Sequence, residues 1–376
     1  MNSILIVAGE NSGEKYGADV IREFKKKHPA HCFFGIGGTR MREEGAELIF
    51  SIEDLGAIGI IEVIFRIPHF ARIFNRLGKE IEARRPVSAV LIDSPDFNLR
   101  LARKLKKAGI PVLYYISPTV WAWRSGRLKT IKDVVTRMCL IFPFELELYE
   151  KHGIPATFVG HPLKEKVKTR LGREEFFEKY SLPRGCRLIA LLPGSRKTEV
   201  KNNLPVLVQA VGRMNKEVPS CFLLVLAESL DRDYLSRFLP SEKTDIRVLD
   251  ADGYEAIAYS DLALSACGTA NLEAALLGTP LIAFYRVSPL TYYPFRRLLK
   301  IHNYSIVNIL AGKRIIPELI QRQFTAERLA QEAKALLLSE KARADMKAEF
   351  QRIGENLGQE SASVHVAAEL EKIISP

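Results

Sequence analysis

Cysteine is scarce in this sequence: five in 376 residues, odd in number and far apart, at Cys32, Cys139, Cys186, Cys221 and Cys267. They offer neither metal-ligand spacing nor a disulfide framework, so a reducing, cytoplasmic compartment is expected. Of the seven histidines only His28 and His31 stand at H-x-x-H spacing, around Pro29-Ala30, and no H-E-x-x-H pattern occurs. No Asp-x-Asp pair stands in a phosphate-binding motif to hold a divalent ion on a diphosphate. No metal and no cofactor are therefore expected. Zinc-ligand patterns, an RNP-like aromatic strand and a basic tail are all missing, which argues against nucleic acid. The N-terminus lacks a basic region followed by a long apolar core and reads as a first strand, not a signal peptide. The most apolar stretch, residues 262–285, contains Glu273 and a Gly-Thr-Pro break, which argues against a transmembrane helix.

What is present points to a globular enzyme with an anionic partner. Apolar residues make up 47%, charged residues 26%, and the net charge is +11. That charge suits an acidic lipid surface or a phosphorylated substrate. The length exceeds one ordinary core and suggests two domains of roughly 150–200 residues.

Short apolar runs at 4–7, 32–36, 89–92 and 112–116 alternate with helical stretches. The pattern restarts at 188–192 and continues through 222–226, 246–249, 262–265 and 281–284. Strand–helix alternation of this kind predicts parallel sheets covered on both faces, and two such series predict two doubly wound α/β domains. The restart places the boundary near residues 161–168, with domains at 1–164 and 165–349. The last ~50 residues read as about three charged helices by their period.

Several motifs fall where strands end and helices begin. The first loop, Gly9-Glu10-Asn11-Ser12-Gly13-Glu14, opens a helix whose exposed N–H groups favour a phosphate, with Ser12 and Gly13 closest to hand. An ordinary tight turn accounts for the same residues. Asp93 ends a buried strand in Ile92-Asp93-Ser94-Pro95-Asp96, where ligands of open α/β sheets bind, and its carboxylate can take a proton from an attacking hydroxyl. A turn or cap role stays open, and Asp96 can cap the next helix. Ser117-Pro118-Thr119-Val120-Trp121-Ala122-Trp123-Arg124 sets aromatic faces beside a cation, as a sugar or acyl-chain site or a packing cluster does.

The strongest motif is Leu192-Pro193-Gly194-Ser195-Arg196. Gly194 lets the backbone approach an anion, Ser195 donates to it, and Arg196 forks onto phosphate oxygens. The second is Gly268-Thr269-Ala270-Asn271-Leu272-Glu273. Gly268 and Thr269 offer phosphate donors at a helix start, Asn271 follows in the first turn, and Glu273 stands where a carboxylate can accept both ribose hydroxyls.

Two segments carry apolar stripes edged with cations, as membrane-surface helices do. In the first, Phe70, Ile73, Phe74 and Leu77 are flanked by Arg72, Arg76 and Lys79. In the second, Tyr292, Tyr293, Phe295, Leu298 and Leu299 interleave with Arg296, Arg297 and Lys300. A core-facing helix with a solvated basic edge fits each equally well.

Taken together, these motifs resemble the lipid-A-disaccharide synthase family over essentially the whole chain. The resemblance also rests on Gly35-Ile36-Gly37-Gly38-Thr39-Arg40-Met41, Phe158-Val159-Gly160-His161 and Asn308-Ile309-Leu310-Ala311-Gly312. It implies a GT-B fold, two Rossmann-like domains facing a cleft, with a C-terminal helix at about 350–376 crossing back onto the first. It implies an inverting transfer from UDP-2,3-diacylglucosamine to 2,3-diacylglucosamine 1-phosphate, giving a β-1,6 disaccharide and UDP at the inner face of the cytoplasmic membrane. Asp93 then serves the acceptor hydroxyl, and the Gly194 and Gly268 motifs serve UDP. Glu14 stands where the family usually has Asp, and Cys267 where it usually has Ser. A UDP-N-acetylglucosamine 2-epimerase or another GT-B glycosyltransferase is the alternative, a non-catalytic nucleotide-sugar-binding protein a second, and the sequence leaves a homodimer open.

Overall fold

Continuous apolar runs cannot leave either face of a strand to water, and here they do not. In the computed structural model, which describes residues 2–55, 67–227, 229–239, 245–288, 292, 296, 302–358 and 361–374, the chain divides into two compact units. One comprises Met1–Pro162 with Leu357–Pro376, the other Leu163–Asn356.

The first unit is built on β1 (Ser3–Ala8), β2 (Cys32–Gly37), β3 (Ala46–Ser51), β4 (Ser88–Ile92), β5 (Val112–Tyr115), β6 (Arg137–Leu140) and β7 (Ala156–Phe158). They form one sheet in the order β3-β2-β1-β4-β5-β6-β7, and each neighbouring pair is parallel. Strand side chains alternate between faces. Leu5, Val7, Leu91 and Tyr114 therefore join a core with Ile73 and Leu77 on one side. Ile4, Ile6, Val90 and Tyr115 join a second core on the other, with Phe24 and with Val366, Ala367 and Leu370 of the final helix Ala362–Ile374. Arg137 Nε meets Glu369 Oε2 at 3.1 Å and ties that helix to β6.

The second unit repeats the architecture with β8 (Arg187–Leu192), β9 (Ser220–Val225), β10 (Ile246–Leu249), β11 (Leu262–Ala266), β12 (Leu281–Tyr285) and β13 (Glu318–Ile320). The order is β10-β9-β8-β11-β12-β13, again parallel at every pair. Both sheets reverse strand order beside their first strand, at β1/β4 and β8/β11, which is where doubly wound folds bind ligands. The expected α/β class is thus observed in both units. Among the described residues, no helix is long and apolar enough to cross a membrane.

One expectation is corrected. The stripe of Phe70, Ile73, Phe74 and Leu77 lies on the helix Ile67–Arg84 and turns inward: Ile73 and Leu77 are fully buried, and Phe70 and Phe74 pack on the same core. The helical period was right, but the apolar face covers the first sheet and not lipid. Of the second segment, Tyr293, Phe295, Arg297, Leu298, Leu299 and Lys300 lie outside the described residues.

Candidate active site

In the first unit the chain leaves β4 through two consecutive non-glycine residues in the left-handed region, Asp93 (φ 48°) and Ser94 (φ 43°). Such backbone is costly unless its surroundings fix it. Here they do. The Asp93 N–H donates to Tyr115 O at 2.9 Å. Its carbonyl accepts from Asn98 Nδ2 at 2.8 Å and Tyr114 Oη at 2.5 Å. Asn98 is buried and also donates to Ile92 O at 3.0 Å. Main-chain bonds thus hold the turn, and the Asp93 side chain forms no ion pair among the described residues. Burial, then the charge of Glu10, pushes its carboxyl up to about 6, against a hydrogen bond from the Ser94 backbone. A mostly buried carboxylate that changes charge near neutrality suits proton transfer.

Asp96 does not cap the helix Pro95–Lys107, which has no side-chain cap. It is exposed and pairs with Arg127 and, at 3.2 Å, with Arg124. The aromatic segment is knitted together: Trp121 Nε1 donates to Glu145 Oε1 at 3.2 Å, Trp121 meets Phe144 edge-on at 5.2 Å, and the Arg124 guanidinium lies 4.2 Å from the Trp123 ring centre. Glu145, which sequence reading did not single out, is buried there, and burial pushes its carboxyl up to about 8.

At the first loop, Ser12 is exposed and Gly13 buried, at the start of the helix Asn11–Lys27. Glu14 has a structural role. It is buried, and its Oε1 accepts the Arg40 N–H at 2.7 Å, which satisfies an orphan donor at the start of the helix Thr39–Glu43.

In the second unit, Gly194 has φ +117°, and a Cβ there would lie 2.4 Å from Glu199 Oε2. Only glycine fits this turn. The N–H groups of Ser195 and Arg196 donate to that same Glu199 oxygen, at 3.0 and 3.3 Å. A carboxylate thus sits on two amides of the turn expected to hold a phosphate. Glu199 was missed, although a Glu three residues after a helix N-cap is a capping-box signal. Asn203 Nδ2 holds the loop from behind through Pro193 O at 2.8 Å. The Arg196 and Ser195 residues are exposed.

Gly268 and Thr269 are exposed at the start of the helix Thr269–Leu276, with Glu273 half-buried one turn on. Asn271 differs from expectation. It is completely buried, its Nδ2 donates to Ser265 Oγ at 2.8 Å and Ala266 O at 3.0 Å, and its Oδ1 accepts from Ser305 Oγ at 3.0 Å. Its amide braces the turn from inside. The network continues through buried Glu318, which accepts from Ser305 N at 2.9 Å and Asn308 Nδ2 at 2.8 Å.

Two Asp-x-Asp sequences do occur, at Asp231/Asp233 and Asp250/Asp252. Asp250 pairs with Arg232 and Asp252 with Lys179. Among the described residues no group of three or more His, Cys, Asp or Glu side chains could hold a metal ion.

The sequence profile of the family described as lipid-A-disaccharide synthetase matches residues 4–371. The lipid-A-disaccharide synthase of Geobacter sulfurreducens is 41% identical over 356 residues, 93% of each chain. That of Anaeromyxobacter dehalogenans is 42% identical over 371 residues, 98% of this chain and 97% of the relative. Among solved structures, Staphylococcus aureus MnaA with UDP superposes with a TM-score of 0.67 at 11% identity, covering 99% of this chain and 96% of that one. A UDP-GlcNAc 2-epimerase from Neisseria meningitidis bound to UDP-GlcNAc gives 0.64 at 12% identity, with 98% of each chain covered. These likenesses show the fold alone.

Proposed function

We propose the following reaction for this chain, which belongs to the lipid-A-disaccharide synthase family and is a glycosyltransferase. The second unit binds UDP-2,3-diacylglucosamine, the first takes 2,3-diacylglucosamine 1-phosphate, and a single inverting displacement joins them. Asp93 accepts the proton of the acceptor 6-hydroxyl as its oxygen attacks C1 of the donor sugar. The C1–O bond to the diphosphate breaks on the opposite face, giving a β-1,6 disaccharide 1-phosphate and UDP. Arg196, the amides of Ser195 and Arg196, and the helix start at Gly268 and Thr269 receive the charge developing on the diphosphate. For those two amides to serve, the Glu199 carboxylate gives way to phosphate oxygen. Glu273 accepts the ribose hydroxyls.

The observation that carries this reading is Asp93: a mostly buried carboxylate, titrating near 6, at the carboxyl end of the strand next to β1. The epimerase alternative is not favoured, because relatives at about 40% identity bear the synthase name while the epimerase shares only the fold. Contact with the anionic inner face of the cytoplasmic membrane is supported by the +11 charge and by exposed Arg72, Arg76 and Lys79, whose cations favour acidic lipid.

The test is incubation of the protein with both acylated substrates, followed by mass analysis. A disaccharide 1-phosphate with UDP in equal amount is expected. Release of UDP with no disaccharide, or epimerised donor alone, would overturn the reading.

A further inference from the structure

On the second unit, a cavity of about 330 Å³ opens beyond the carboxyl ends of β12 and β13, lined among others by Tyr292, Arg296, His302, Tyr304, Arg314 and Arg322. Its electrostatics are one-sided. The one carboxylate among the described residues of the wall, Glu318, is buried and already accepts from Tyr304 N at 3.0 Å, Ser305 N at 2.9 Å and Asn308 Nδ2 at 2.8 Å. Arg314 gives one hydrogen bond to the Glu318 carbonyl at 3.0 Å. None of the three guanidinium groups forms an ion pair with a carboxylate among the described residues. Three cations around one small cavity repel one another, and a bound anion offsets that repulsion. Guanidinium donors in such a setting match phosphate oxygens.

The cavity also has a definite place relative to the donor loops of the same unit. Tyr285, the last residue of β12, lies in the field of Arg196 and Glu199. Its ring stacks on Tyr304 at 6.3 Å, Tyr304 stacks on Tyr292 at 6.5 Å, and the hydroxyls of Tyr292 and Tyr304 are 3.1 Å apart. A line of three tyrosines therefore runs from the end of β12 to the arginine-lined cavity. The volume falls at the lower end of small-ligand pockets, enough for a phosphorylated head group and more than a lone phosphate needs.

We propose that this cavity is a second anion site, separate from the loop at residues 194–196, and that it takes the phosphate of a lipid-linked head group. Two sources share that chemistry: the 1-phosphate of the acylated acceptor and the phosphodiester of a membrane phospholipid. Only the first rests on the glycosyl-transfer reading.

The experiment uses the full chain and the variant Arg296→Gln/Arg314→Gln/Arg322→Gln. Three ligands are measured: diacylglucosamine 1-phosphate with its dephosphorylated counterpart as control, phosphatidylglycerol vesicles against phosphatidylcholine vesicles, and UDP. Each lost guanidinium contact should weaken phosphate binding about tenfold or more, while UDP affinity stays within about twofold. Loss confined to the sugar phosphate assigns the site to the acceptor, and loss confined to the anionic vesicles assigns it to a phospholipid. Both uphold the anion site. Unchanged binding in both arms overturns it, as does UDP binding that falls in step, since the cavity would then be part of the donor site. If the triple variant fails to fold, single Arg296→Gln and Arg322→Gln variants carry the test. Wild-type protein that prefers the phosphorylated ligand yet forms no disaccharide leaves this site standing and removes only the glycosyl-transfer reading.

Discussion

The turns that follow β4 and β8 both lie beside the strand-order reversal of their sheets, β8 holding the place that β1 holds in the first sheet and β4 the place that β11 holds in the second, and they have opposite chemistry. After β4, strained backbone supports a carboxylate that is poorly solvated and forms no ion pair. After β8, a glycine in the left-handed region opens the backbone, and the amides of Ser195 and Arg196 collect around the Glu199 carboxylate. In the first, the fold raises the energy of an anion; in the second, it lowers it. On the proposed reading, two turns flanking the reversal of a doubly wound sheet thus supply a proton acceptor in one unit and an anion cradle in the other, and the turn chemistry sets the sign.

The sharpest way to break this comparison is Asp93→Asn. Turnover should fall about 10²–10⁴-fold while UDP affinity is unchanged in a binding assay. Stability should move the other way. The folded-state carboxyl sits above its ordinary value, so its stabilising contribution is complete below pH 4 and is lost as pH rises through about 6. At pH 7 the ionised group costs on the order of 2–3 kcal/mol, and a neutral Asn should recover part of that as a higher melting temperature. Near-normal turnover, or UDP weakened as much as turnover, would make Asp93 structural.

Arg196→Ala probes the opposite turn. Losing a stabiliser of developing charge should cost about 10²–10³-fold in turnover and should also weaken UDP, which Asp93→Asn does not. If UDP binding survives intact, Arg196 does not clamp the diphosphate.

Asn271 and Glu273, two residues apart, sharpen the contrast within the second unit. Asn271→Ala should lower unfolding free energy by about 1–3 kcal/mol, because Ser265 and Ser305 lose buried partners. An unshifted denaturation midpoint would contradict the bracing role. Glu273→Ala should weaken UDP about tenfold with little change in melting temperature. Unaltered affinity by calorimetry would take Glu273 out of the site. The smallest effect is expected from Glu10→Gln. The acid limb of kcat/KM should reflect Asp93, rising as pH passes about 6, and removing the Glu10 charge should move that limb to lower pH. A limb that stays put would show that burial alone sets it.

The fold was readable because its signal is local. Residues 4–7 and 188–192 are unbroken apolar runs, and few structures other than doubly buried parallel strands accept them. That Asp93 and Gly194 follow strand ends was readable for a related reason: the apolar runs before them stop there. The misses are cases in which a side chain's partner lies far off in sequence. Phe70, Ile73, Phe74 and Leu77 have the right period for lipid or core alike, and only the apolar face of the first sheet, built from strands distant in sequence, decides between them. Asn271 has the spacing of a ligand residue, but Ser305, 34 residues later, holds its oxygen. Glu199 is different. Its partners are local, and the capping-box spacing was overlooked beside the more conspicuous Arg196.

The final helix, which buries Val366, Ala367 and Leu370 against Ile4 and Tyr115, has a consequence for how the molecule is made. On the ribosome, the first seven strands emerge long before the residues that complete the cover of one face of their sheet, which the helix Asn11–Lys27 covers only in part. At roughly 5–20 residues per second, the intervening stretch 163–356 takes about 10–40 s to appear. During that time the nascent first unit carries an open apolar groove, and the second unit is complete before that groove is covered. Chaperone capture should therefore concentrate on the early half of the chain, and a message truncated near residue 356 should yield a product whose second unit is whole and whose first is aggregation-prone.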